Sequence, residues 1–407
     1  MRRAAGYTLG VLTLINFLNY LDRWIIASLL ESIRKSELHL NDTQLGLIGS
    51  GFIIVYMAAS PLFGTLGDRR SRPPLIALGV MIWSIATTLA GFARGFASLF
   101  AARATVGIGE AAYGTIAPAL LADTFPYEKR GRVLGIFFVA IPVGSAAGYI
   151  LGGLVDQHFG WRAAFWVAGA PGLLLAMLVA GVKDPPRGAQ DSVESGGHAA
   201  AAGAQSGGMA AALHILHNSQ FLLAALGYAM WTFAIGGLGY WMPAFLERVR
   251  GMTHAQATVT FGAIACGTGL AGTFAGGFLG DFFLKRTKQS YLWVSGISTL
   301  IAAPFTFVAL TSPHRSTYFT ALIIAEVLVF ISAGPVNSAI INAVAPHERA
   351  TAVGLSVLVT HLFGDVPATP IIGKLSDATS LDRAFLIVPV AIILGGVIWC
   401  VAAWRGR

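Results

Sequence analysis

The chain has 407 residues, 55% of them hydrophobic and only 11% charged, with a formal net charge of +8 and a mean hydropathy of +0.69. Soluble domains carry roughly 25% charged residues, so a water-solvated globular fold is excluded, and Lys and Arg scattered between apolar runs argue against a nucleic-acid surface. The two cysteines, Cys266 and Cys400, both fall inside apolar segments, which argues against a disulfide framework or a Cys-based metal site.

Arg2 and Arg3 precede an apolar stretch at about 7–30 that is too long for a signal-peptide core and reads as a first membrane helix. Further stretches follow at 43–66, 73–93, 97–123, 130–155 and 161–181, then at 219–247, 254–283, 290–311, 316–345, 349–375 and 382–404. Each is long enough to cross about 30 Å of hydrocarbon as a helix. The longest polar break opens with Lys183-Asp184-Pro185-Pro186 and continues through Gly, Ala, Ser and Gln, a composition that buries too little to order itself. The expectation is an all-α membrane protein of twelve spans: an N-terminal bundle at 1–181, a cytoplasmic linker at 182–218 and a C-terminal bundle at 219–407.

An internal repeat supports that division. Gly64-Thr65-Leu66-Gly67-Asp68 recurs as Gly277-Phe278-Leu279-Gly280-Asp281, an offset of 213 residues between the aspartates. Pro126-Tyr127-Glu128-Lys129 recurs as Pro346-His347-Glu348-Arg349 at an offset of 220, and Asp156 with Arg162 as Asp377 with Arg383 at 221. With the termini on one side, sixteen Lys and Arg lie on that side and nine on the other, which places both termini in the cytoplasm. Gly144, Gly148 and Gly152 in the fifth span, and Gly272, Gly276 and Gly280 in the eighth, are spaced for close backbone approach in lipid.

A charge within hydrocarbon costs about 2.5–3.5 kcal/mol on insertion scales unless it faces protein or water, so the few ionisable residues inside the spans are candidates for function. Asp22 and Arg23 in the first span point about 100° apart, so at least one reaches another helix. Arg103 and Glu110 in the fourth span share a face but lie ~10.5 Å apart along the axis, too far to pair directly. Asp22 or Glu110 is expected beside Arg103 or Arg23. Such a cluster either lets a carboxylate take a proton as its arginine is drawn to an anionic head group, or is a permanent brace between the two helices.

Glu326 in the tenth span stands opposite Val106 in the repeat, and either lines a cavity or is solvated near a helix end. His361 and Asp365, four apart on the eleventh span, share a face, as a proton relay or as a brace. In the seventh span Pro243 is expected to interrupt the helix after Trp231, Phe233, Tyr240 and Trp241, with Trp231 and Phe233 lining the cavity and Trp241 in an interfacial belt. His214 and His217 in the linker have zinc-like spacing without further ligands, and no metal or cofactor is expected.

The segment Gly64 to Arg72 resembles the loop signature of the major facilitator superfamily between helices two and three, with Asp281 and its neighbours as a weaker second copy. Several motifs together resemble the Spinster family of lipid transporters: Asn19-Tyr20-Leu21-Asp22-Arg23, the run from Arg103 through Glu110 and Tyr113 to Pro118, and Ala140-Ile141-Pro142-Val143-Gly144-Ser145. Arg349-Ala350-Thr351-Ala352 and Thr360-His361-Leu362-Phe363-Gly364-Asp365 complete the set.

The resemblance implies two six-helix bundles related by pseudo-two-fold symmetry. It also implies alternating-access export or flipping of single-chain amphiphiles such as sphingosine-1-phosphate and lysophospholipids, with proton coupling in some members. It assigns Asp22, Arg23, Arg103 and Glu110 to the cavity, to which Tyr113, Trp231, Phe233, Glu326, His361 and Asp365 are added. It further implies a cytoplasmic gate of Asp68 with Arg69 and Arg72, mirrored by Asp281, in which Asp68 meets the N-terminal dipole of helix eleven. The alternative is an organic-anion or drug symporter or antiporter of the same superfamily. A lipid-modifying enzyme ranks last, without a nucleophile-base constellation, metal cluster or phosphate loop. The expected partners are a lipid or amphiphilic small-molecule substrate, protons and the bilayer, with no nucleic acid; the expected form is a monomer in the cell membrane, the inner one if bacterial.

Overall fold

The computed structural model describes residues 2–187, 189, 209–345 and 348–406, and among these there are helices and connections but no strand. The first six helices are α1 Arg2–Lys35, α2 Asp42–Arg69, α3 Arg72–Ala90, α4 Phe96–Thr124, α5 Tyr127–Phe159 and α6 Trp161–Leu178. After α7, Met209–His217, come α8 Ser219–Arg248, α9 His254–Leu284, α10 Ser290–Thr311, α11 Arg315–Phe330 and α12 Ala333–Asn342. The chain ends with α13 Arg349–Phe363, α14 Asp365–Ala378, α15 Leu381–Ala384 and α16 Ile387–Arg405. Eleven helical segments among the described residues are long and apolar enough to cross a membrane. The twelfth span is α4, 29 residues long and interrupted in polarity by Arg103 and Glu110.

Local chemistry sets the helix ends. Asn41 and Gln44 form a reciprocal capping box at the start of α2. Pro73 and Pro74 occupy the first turn of α3, where a missing N–H costs nothing. Gly160 at φ 80° makes the sharp turn from α5 to α6 that a Cβ would strain.

Three expected spans are divided. The stretch 316–345 breaks between α11 and α12, 349–375 at Gly364, and 382–404 between α15 and α16. Each break lies four residues before a proline, Pro335, Pro367 or Pro389, which has no N–H to bond the carbonyl of Ile331, Phe363 or Phe385. The missing donor permits a break without forcing one, since Pro243 lies inside the continuous α8, contrary to the interruption expected there. At α11–α12 the freed turn is taken up by Ser332, whose hydroxyl lies 2.8 Å from that of Thr299 and 3.2 Å from the carbonyl of Ser295.

The chain divides into two compact units, Met1–His198 with Leu246–Ala263, and Ala199–Phe245 with Ile264–Arg407. In unit 1, α1 lies along α5, α2 on α4, and α3 against α4 and α6. The α5 glycines allow this approach: a methyl on Gly144 or Gly148 would come within 2.5 Å of the carbonyl oxygen of Phe17 or Leu21. In unit 2, α10 packs on α11 and α16 as α3 packs on α4 and α6, and Gly272 of α9 faces the carbonyl of Val327 on α11 in the same manner. The sequence repeat is thus a repeat of packing.

Of the expected linker, residues 188 and 190–208 lie outside the described residues, as do Pro346 and His347 of the second Pro-x-Glu motif. The Ala-rich stretch at its end, Met209-Ala210-Ala211-Ala212-Leu213, is helical as α7, in keeping with strong helix propensity.

Candidate functional site

Asp22 and Arg23, adjacent on α1, point to different turns of α4 and pair with both of its buried charges. Arg103 Nη1 lies 3.2 Å from Asp22 Oδ1, and its Nη2 donates to the Asp22 carbonyl at 3.2 Å. Thr87 of α3 donates to Asp22 Oδ2 at 2.8 Å. Arg23 Nη2 donates to Glu110 Oε2 at 2.8 Å, with Nε on the same oxygen at 3.2 Å. The long arginine side chains span the separation that the α4 spacing imposes. Two short side chains would not.

The two pairs differ in access. Asp22 and Arg103 are each 1% exposed, whereas Arg23 is 24% exposed although Glu110 is 0%. Glu110 Oε1 is buried with no hydrogen-bond partner, as is Nδ2 of Asn19 one turn before Arg23. Three rings surround the Arg23 guanidinium, with centroids 4.9 Å away for Tyr20, 5.0 Å for Phe52 and 5.1 Å for Tyr56. Sequence reasoning missed Thr87, Phe52 and Tyr56. Only the i, i+4 spacing of Phe52 and Tyr56 hinted at them, in a chain where aromatics occur in every region. Tyr113 lies in the core of unit 1, its hydroxyl donating to the Leu12 carbonyl at 2.6 Å.

Unit 2 holds the other candidates. Glu326 is 4% exposed in the interior of α11 and accepts from the Thr268 hydroxyl of α9 at 2.7 Å, so it is not solvated at a helix end. Trp231 Nε1 donates to the Val329 carbonyl at 2.8 Å, and its ring meets Phe330 edge-on. Phe233 is buried on the same helix. Trp241 is fully buried and donates to the Thr369 carbonyl, so it packs α8 on α14 and is no interfacial anchor. His361 and Asp365 do meet, Nδ1 to Oδ1 at 2.9 Å, but across the break at Gly364 and not along one helix. His214 pairs with Glu348 and His217 with its own helix, at the Leu213 carbonyl.

The pattern that describes the Major Facilitator Superfamily matches residues 12–364. The sphingosine-1-phosphate transporter SPNS2 of Danio rerio is 31% identical over 97% of this chain and 84% of its own length. The chain belongs to the Spinster family. Protein spinster of Drosophila melanogaster is 32% identical over 92% of the chain, which spans 62% of that longer protein. A crystal structure of a bacterial homolog of the human lysosomal transporter Spinster, inward-facing and unoccupied, superposes with a TM-score of 0.89 at 25% identity, covering 99% of this chain and 98% of that one. The protein is therefore a multi-pass membrane transporter of the major facilitator fold, and its relatives are transporters and not enzymes.

In this Spinster chain the residues of the loop signature do different work. Asp68 and Arg69 are exposed at the end of α2. Arg72 is buried and held by Asp123 Oδ2 at 2.7 Å, Asp184 Oδ1 at 2.8 Å and the Pro185 carbonyl at 2.9 Å. Arg187 donates to the carbonyls of Gly67 and Arg70, so the start of the linker is fastened to the loop. Burial would raise the Asp184 carboxyl, but the backbone N–H and guanidinium of Arg72 outweigh it and hold it below its ordinary value. Asp281 in the second copy is exposed and accepts from Tyr291 at 2.9 Å.

Proposed function

We propose that this Spinster transporter moves an anionic single-chain lipid of the sphingosine-1-phosphate or lysophospholipid type, Arg23 receiving the head group and Glu110 taking a proton as the guanidinium leaves it. The observation that carries this is the asymmetry of the two ion pairs. Asp22 and Arg103 are sealed and cross-bonded, whereas Arg23 is partly accessible and Glu110 has one oxygen without a partner. A carboxylate stripped of the cation bonded to it in a dry setting gains from protonation, so binding an anion at Arg23 and protonating Glu110 favour each other. Relatives named for sphingosine-1-phosphate and sphingolipid transport support a lipid cargo.

In this reading Asp22, Thr87 and Arg103 position the pair. Glu326, Trp231, Phe233, Tyr113 and the His361–Asp365 pair serve the substrate path, and Asp68 and Asp281 serve the cytoplasmic gate. The bundles are 1–181 and 219–407, joined by a cytoplasmic linker, with both termini cytoplasmic and the chain monomeric.

The test is transport of labelled lysophospholipid and sphingosine-1-phosphate in proteoliposomes, with and without a pH gradient. Wild type is expected to relocate the lipid unaltered. Arg23→Met should lose at least about tenfold, and Glu110→Gln should keep binding while losing its response to the gradient. Wild-type rates and pH response in both variants would overturn the assignment.

A further inference from the structure

A second group of charges in unit 1 takes no part in the site above. It gathers where α1 ends, α2 begins, α5 ends and the α8–α9 junction packs. Arg248 Nη2 lies 2.6 Å from Glu31 Oε1 and its Nη1 2.5 Å from Asp42 Oδ2, both carboxylates being buried. Arg34 Nε also reaches Glu31 at 2.8 Å, and Lys35 Nζ reaches Glu247 at 2.7 Å. His254, the first residue of α9, stands between two carboxylates. Its Nδ1 lies 2.9 Å from Glu247 Oε2, and its Nε2 lies 2.9 Å from Asp156 Oδ2 as an ion-pair contact off the hydrogen-bond axis. Asp156 also accepts from the Ser32 hydroxyl.

A carboxylate oxygen 2.9 Å from each ring nitrogen favours the charged imidazolium over the neutral ring by simple charge attraction, whichever way the second N–H is aimed. Among these eight side chains the cations Arg34, Lys35, Arg248 and the His254 imidazolium face the carboxylates Glu31, Asp42, Asp156 and Glu247, and deprotonation of His254 removes one of those cations. Beneath it, the packing of α9 on α5 is smooth. Gly153 faces Thr258, Gly262 faces Tyr149 and Ala146, and Tyr149 meets Phe261 edge-on at 5.0 Å. Small residues let the two backbones approach closely there, and Asp156 and His254 cap that contact at one end.

We propose that His254 is a pH-sensitive latch: its imidazolium, set between Asp156 of α5 and Glu247 of α8, holds the α8–α9 junction on unit 1, and loss of its proton releases that junction. Since α8 and α9 run from this junction into unit 2, the latch ties transport to the acidity of the compartment it faces. The proposal goes beyond the assignment of the substrate site and stands or falls without it.

Hydrogen–deuterium exchange of the whole protein in nanodiscs tests it, with each rate divided by that of an unstructured chain at the same pH. Between about pH 6 and about pH 10, where imidazole titrates and carboxylates do not, protection across 246–263 is expected to fall at least about tenfold in wild type. Protection across 72–90 should not change. His254→Gln should give low protection that no longer responds to pH, and His254→Lys, which keeps a cation, should stay protected past the wild-type midpoint. If His254→Gln does not fold, Asp156→Asn takes its place and should move the midpoint to lower pH. Constant wild-type protection, or an unchanged pH response in these variants, overturns the latch.

Discussion

The two units repeat each other's helix packing but bury their carboxylates in different company. In unit 1, Asp22 and Glu110 each have an arginine within 3.2 Å, and the cations come from the helix opposite. In unit 2, Glu326 sits equally deep with the Thr268 hydroxyl on it and no cation in ion-pairing reach among the described residues. A paired carboxylate resists neutralisation because its partner would be left as a bare charge. The helix packing repeats while the buried charge chemistry does not: carboxylate–arginine pairs in unit 1, a carboxyl held by a hydroxyl in unit 2.

The strongest way to break this contrast is to remove a cation from unit 1. Arg103→Met leaves Asp22 buried with only Thr87 for company, and the expected loss is about 3–5 kcal/mol of stability, with transport abolished. Adding Asp22→Asn should recover most of the stability and none of the transport. Thermal unfolding in detergent and flux in proteoliposomes read the two effects separately. Full transport by the double variant would mean that this pair is a brace and nothing more.

Next in size is the matching experiment in unit 2. Glu326→Gln keeps the shape and still offers Thr268 an acceptor, and it strands no cation, so stability should stay within about 1 kcal/mol of wild type. Transport should fall a few-fold with a displaced pH profile. A destabilisation as large as that of Arg103→Met would reveal a hidden positive partner and end the contrast. Smaller again is Tyr56→Leu, which removes one of three rings from Arg23. At about 0.5–1 kcal/mol per cation–π contact, apparent substrate affinity should change about two- to fivefold, in the direction of a freer guanidinium.

What was legible in the sequence follows from what each signal depends on. Twelve spans could be read because length and apolarity are summed over some twenty residues, and Asp22, Arg23, Arg103 and Glu110 stood out because charge is rare there. Which carboxylate meets which arginine was not legible, since it turns on the rotation of α1 against α4. Both registers left the same four residues on the inner faces. The breaks at Ile331, Gly364 and Phe385 escaped because hydropathy runs on through them, and because prolines such as Pro243 are accommodated without a break. Trp241 was misplaced because an indole near a helix end suits an interface as well as a buried contact with the Thr369 carbonyl.

A carboxylate outside the bilayer gives the smallest effect and the clearest reference for both units. Asp184 also holds an arginine, but at the start of the linker, where water shares the screening. Its folded value lies below the ordinary one despite partial burial, because the Arg72 N–H and guanidinium bond the ionised form. The sign follows: its stabilisation is fully present above the unfolded carboxylate value of about 3.9 and is lost as pH falls through the lower folded value. Unfolding temperature followed from about pH 6 downward should therefore decline at the acid end in wild type, and the decline should be shallower in Asp184→Asn. The variant should also start slightly lower at neutral pH, because buried Arg72 keeps Asp123 but loses its second carboxylate. An acid limb of unchanged steepness would show that Arg72 is satisfied by Asp123 alone. The depressed carboxyl at the linker would then have no bearing on how the loop signature is held.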